Sequence, residues 1–185
     1  TWWVYALMIV GLFVLYPFGT WVMKHPDPAI DLRVLRQPSM WPVQLTAGLV
    51  GISILGAQAP LSTFAGTDPV NGFGLGLDAA ERSYIIGAYL VAMIIGALLF
   101  PVVSRRFTPR FALIAASVTV GLGYLAFLVN NTTAVGVTLN MVVAGIGSGA
   151  LVAALPAAAA AAAPLGQTGI ATGLTNTTKT IGGAF

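Results

Sequence analysis

The sequence predicts an all-α membrane protein, and two observations carry that expectation. Hydrophobic residues make up 57% of the chain and charged residues only 7%, whereas a soluble domain carries about 25% charged residues. The few charges also cluster between apolar stretches rather than within them. A bilayer core about 30 Å thick takes roughly 20 apolar residues per helix. That ruler marks six segments, at 1–23, 41–65, 83–103, 111–129, 134–163 and 168–185. The last falls short, so five full transmembrane helices and part of a sixth are expected.

The first segment opens on Thr1-Trp2-Trp3-Val4-Tyr5, without an initiator Met, a basic start or a small-residue cleavage site. The last stops at Ile181-Gly182-Gly183-Ala184-Phe185, inside an apolar stretch. Both ends read as cuts through helices, which makes the chain a fragment of a longer protein. Trp2, Trp3, Trp21 and Trp41 fall near segment ends, where indole rings settle at the headgroup level.

Lys and Arg in short loops mark the cytoplasmic side. Lys24, Arg33 and Arg36 place the connector at 24–40 inside, and Arg105, Arg106 and Arg110 do the same for 104–110. Between them, 66–82 carries Asp68, Asp78 and Glu81 against Arg82 and belongs outside, as does the polar turn at 130–133. The alternation fits one crossing per segment. Connectors this short favour antiparallel neighbours in a bundle.

The chemistry-bearing groups are sparse. A net charge of +3 cannot build the basic surface of a nucleic-acid binder. There is no cysteine, and His25 is the single histidine, so neither a disulfide framework nor a metal cluster is expected. No Asp, Glu, Lys or Arg lies between Gln37 and Thr67, between Ser83 and Ser104, or between Phe111 and Thr178. Paired carboxylates and a nucleophile beside a base are lacking, which argues against an enzyme and against a cofactor. The same gap removes the embedded acid that relays protons or cations in transporters. Any coupling acid is therefore expected elsewhere in the full protein.

Uncharged polar residues at membrane depth need a partner or water, because an unsatisfied amide in hydrocarbon costs several kcal/mol. Gln44, Ser53, Gln58, Tyr89, Asn140 and Asn176 are such residues. Each serves either interhelical hydrogen bonding or a substrate cavity, with Gln58 and Asn140 the first candidates for the cavity. Lys179 is the lone embedded cation, about 18 Å along its helix at the standard rise. It can snorkel on its long stem or point into the bundle or a wet cavity.

Gly145 and Gly149 form a GxxxG pair that allows close helix approach, and Ala88, Ala92 and Gly96 repeat small-residue spacing. Pro156 removes a backbone hydrogen bond and predicts a kink near 153–155, structural or gating. The glycine strings at 72–76 and 145–149 do not sit at strand-to-helix turns and are not nucleotide loops.

The string Gly145-Ile146-Gly147-Ser148-Gly149 through Leu155-Pro156 and Pro164, followed by Gly169 to Gly173 and Asn176-Thr177-Thr178-Lys179-Thr180-Ile181-Gly182-Gly183-Ala184, resembles the tenth and eleventh core helices of the major facilitator superfamily. More narrowly it is similar to the fourteen-helix drug:proton antiporter family in its actinobacterial forms. The stretch from Asp27-Pro28 to Arg36 resembles that family's cytoplasmic link into the second six-helix bundle. Arg106-Phe107-Thr108-Pro109-Arg110 resembles the basic gating turn, with Thr108 where the family usually has Gly, and the alanine run at 157–163 lacks a common acid.

The resemblance implies a helix at 1–23 preceding the second bundle, a linker at 24–40, and a C-terminal bundle at 41–185 truncated before its last helix. It implies proton-coupled, multidrug-type efflux across a bacterial inner membrane, by alternating access against an N-terminal bundle. The partners implied are the lipid bilayer, a small amphipathic substrate and protons. A facilitator exporting one metabolite or lipid, and a non-transporting scaffold subunit, are the competing readings.

Overall fold

The structure, a computed structural model, describes residues 2–24 and 37–184. Every regular element among them is helical, as the acid-poor apolar segments require. Helix α1 spans Trp2–Lys24, α2 Trp41–Gly51, α3 Gln58–Gly66, α4 Ala79–Arg106, α5 Pro109–Leu125, α6 Ala134–Ala162 and α7 Thr168–Gly183. Five stretches are long and apolar enough to cross a membrane: Tyr5–Lys24, Trp41–Gly66, Ala79–Arg106, Arg110–Leu128 and Ala134–Ala162. The resemblance at 27–36, with Arg33 and Arg36, lies outside the described residues.

The second crossing departs from an uninterrupted helix. Its path runs through α2, a π turn at Ile52–Gly56, and α3. Pro60 explains the break: it has no N–H for the Gly56 carbonyl and its ring crowds that carbonyl, so the ladder resets one turn earlier. The third crossing, α4, starts before the expected 83, because Asp78 and Glu81 form a capping box. Asp78 Oδ1 accepts from Glu81 N at 2.8 Å, and Glu81 Oε2 accepts from Asp78 N at 3.1 Å. Thr133 caps α6 by accepting from Gly136 N at 3.1 Å. Pro17, Pro101 and Pro156 all lie inside helices.

Helix α6 is the hub. Gly145 meets the Tyr89 backbone and Ala92 of α4, Gly149 meets the Met93 backbone, and Gly96 of α4 meets Ile146. On another face, Gly147 lies against Ala116 and Val120 of α5. A side chain at any of these positions would separate the backbones, so the small residues set the helix spacing. Outward faces stay apolar: Leu90, Val91, Ile94 and Leu98 on α4 and Ile114, Val118 and Leu122 on α5 are exposed, as hydrocarbon contact requires.

The connectors alternate ends. Ser39 Oγ donates to the Ala162 carbonyl at 3.1 Å, joining the entry of α2 to the exit of α6. At the opposite end, Pro69, Phe73 and Leu75 share a cavity with Asn131 and Thr132. The described members of the tryptophan set, Trp3, Trp21 and Trp41, are all exposed.

Candidate functional site

Helices α2 and α7 meet through glycine. A Cβ on Gly182 would run into the Gly48 backbone, and one on Gly51 into the Lys179 carbonyl. This approach lets Gln44 reach two threonines: its Nε2 donates to Thr175 Oγ1 at 2.8 Å, and its Oε1 accepts from Thr178 Oγ1 at 2.7 Å. Gln44 is 8% and Thr175 2% exposed, so the amide is satisfied by protein on both sides. Sequence flagged Gln44 as needing a partner, but the threonine string gave no sign of which hydroxyls face it.

Next to this seam, Lys179, Asn176, Thr172 and Thr175 of α7 and Val152, Leu155 and Pro156 of α6 line a cavity of about 30 Å³. Among the described residues, neither the Lys179 amine nor the Asn176 side chain has a hydrogen-bond or ion-pair partner. Thr172 and Thr175 spend their hydroxyl protons on helix carbonyls, Thr168 and Gly169 for the first and Ala171 for the second. The two free donors of the cavity are therefore Lys179 and Asn176.

A third polar group joins the π turn at Ile52–Gly56 to α4, α5 and α6. Tyr124 Oη donates to the Ser53 carbonyl at 2.7 Å, within the π turn. Tyr89, 1% exposed, faces the hydroxyls of Tyr124 and Ser148. Yet Tyr89 Oη, Ser148 Oγ and Ser53 Oγ are buried without a hydrogen bond of standard geometry. Sequence reasoning named Ser53 and Tyr89 but missed Tyr124 and Ser148, which read as ordinary residues of apolar helices.

Gln58 and Asn140 are far from equivalent. Asn140, 4% exposed, donates Nδ2 to the Asn130 carbonyl at 2.7 Å and so fastens the turn that precedes α6. Gln58 is half-buried, and among the described residues its side chain has no hydrogen-bond partner. Its neighbours Ala57 and Pro60, with Leu61, Phe64, Tyr124, Phe127, Asn131 and Met141, line an apolar cavity of about 320 Å³; Gln58 itself does not.

At the basic turn, Arg106 ends α4 and Arg110 lies in the first turn of α5, both exposed. Thr108 Oγ1 accepts from Phe111 N at 3.1 Å, and the Thr108 φ of −108° is ordinary extended backbone. The turn therefore needs no glycine here, since the side chain supplies the helix cap. Phe107 and Phe111 pack with ring centroids 5.0 Å apart. Among the described residues no group of His, Asp or Glu could hold a metal.

A family profile described as the Major Facilitator Superfamily matches residues 1–185. No curated protein and no solved structure matches the chain.

Proposed function

Since the chain belongs to the major facilitator superfamily, we propose that it supplies the second bundle of a proton-coupled exporter of amphipathic, drug-like compounds in a bacterial inner membrane. A membrane transporter is what the family supports; the fourteen-helix antiporter type, the export direction and the proton are our reading. The observation that carries it is the cavity of about 320 Å³ walled by Leu61, Phe64, Phe127 and Met141 with Tyr124 and Asn131 as its polar members. Its size and apolar lining suit a small amphipathic molecule.

Among the described spans the one acid is Glu81, in the first turn of Ala79–Arg106 and engaged in its capping box, so in this reading the proton sites belong to the N-terminal bundle. Residues 41–185 form the partner half, which rocks against that bundle around a midplane cavity. The connectors at 24–40 and 104–110 face the cytoplasm, and those at 66–82 and 130–133 the outside. Within this half, the glycine contacts of α6 on α4 and of α7 on α2 let helices shift as units.

The test is efflux of several chemically unrelated dyes from cells overexpressing the full-length protein, with and without a protonophore. Export of more than one dye that stops with the protonophore supports the reading. Efflux indifferent to the protonophore removes proton coupling, and transport of a single compound favours a dedicated facilitator. Unaltered accumulation of every dye favours a scaffold.

A further inference from the structure

Lys179 sits deeper than its place in a short helix suggests. Its carbonyl lies against Gly51, near the middle of the Trp41–Gly66 crossing. A cation at that depth is costly and is kept where it has an anionic or polar counterpart. Among the described residues it has none. The described acids, Asp68, Asp78 and Glu81, belong to the 66–82 connector at one end of the bundle.

Its surroundings leave room for a small anionic group. The cavity of about 30 Å³ has room for one such group. Lys179 offers a charge, Asn176 offers an amide N–H, and among the described residues both donors are free. Leu155 and Pro156 wall the other side and keep the site poor in competing polar groups. A carboxylate is the fitting ligand because its hydrogen bond to an ammonium is charge-assisted, whereas a neutral acceptor's is weaker.

We propose that Lys179 and Asn176 form a carboxylate-binding subsite, and that the molecules carried include amphiphiles bearing a carboxylate. This rests on the export reading and narrows its substrate class. A carboxylate could reach Lys179 from the cargo or from an acidic side chain elsewhere in the full protein. The cavity takes one carboxylate from either source, and a carboxylate dye compared with its ester separates the two.

The probes are a xanthene dye with a free carboxylate and its methyl ester, taken up by inverted membrane vesicles containing the full-length protein. Lys179→Met lowers carboxylate-dye transport by at least about tenfold, the weight of one charge-assisted hydrogen bond, and leaves the ester nearly unchanged. Lys179→Arg retains carboxylate transport, and Asn176→Ala weakens it selectively. Loss of both dyes alike at equal protein abundance overturns the proposal, since Lys179 then pairs with an acid of the protein or holds α7 in place. Retention of both dyes by Lys179→Met overturns it too.

If the wild-type protein moves neither dye, the export reading falls, and fluorescence anisotropy on the purified full-length protein still decides the subsite. Carboxylate-dye binding at least about tenfold tighter than in Lys179→Met supports it; equal binding refutes it.

Discussion

The carbonyl of Lys179 and the α-carbon of Gly51 lie so close that a side chain at Gly51 would overlap the α7 backbone. The contact fixes both the spacing of α2 and α7 and the depth of the single embedded cation. Gly173, on the same α7, has open space where its Cβ would lie.

Gly51→Val is therefore expected to destabilise the bundle, by about 1–3 kcal/mol from overpacking, and to weaken transport through displaced Lys179. Gly173→Ala is expected to leave the melting temperature unchanged or slightly higher. Thermal unfolding of the purified full-length variants separates the two; equal melting temperatures would refute the close packing of α2 on α7.

The Gln44 cluster makes an asymmetric prediction. Thr175 and Thr178 keep bonds to the Ala171 and Leu174 carbonyls when Gln44 is lost, so Gln44→Leu should cost less than about 1 kcal/mol. Thr175→Val strands the Gln44 amide and should cost more, about 1–3 kcal/mol. Denaturation of the two single variants and the double variant measures the coupling, and the reverse order would disprove the pairing.

Tyr89 carries a buried hydroxyl that faces Tyr124 and Ser148 but, among the described residues, makes no hydrogen bond of standard geometry. Removing such a group relieves a desolvation cost, so Tyr89→Phe should hold or raise stability, by up to about 1 kcal/mol. Because Tyr89 is also a cavity candidate, dye efflux is measured alongside. Stability maintained with efflux impaired assigns the hydroxyl to cargo; stability lost means it has a protein partner.

Gln58 and Asn140 should part company. Asn140→Ala leaves the Asn130 carbonyl without its donor and is expected to lower the melting temperature, at a cost of about 1–2 kcal/mol. Among the described residues the Gln58 side chain has no hydrogen-bond partner and it does not line the cavity of about 320 Å³, so Gln58→Ala should leave both stability and the dye profile nearly intact. If both variants keep normal profiles, neither residue belongs to the cargo path.

Much of the fold was legible because the relevant physics is local. Hydrocarbon accepts only uncharged, internally bonded backbone, so apolar length marks crossings without knowledge of neighbours. The early start of α4 was also readable in principle, since Asp78 and Glu81 have the spacing of a capping box. The π turn before Pro60 was harder to see: a proline announces a lost bond but not how the helix repairs it.

The sequence alone determined that the chain is helical, that the apolar segments it marks carry no acid and that one cation, Lys179, lies among them. Tertiary structure decided which polar groups meet: Gln44 with Thr175 and Thr178, Asn140 with Asn130, Tyr124 with Ser53, and Lys179 with none among the described residues. The physical reason is that hydropathy depends on each residue's own transfer free energy, whereas a partner depends on the rotation and depth of two helices. Here those are set by glycine contacts, Gly51 against Lys179 and Gly145 against Tyr89, that no single segment reveals by itself.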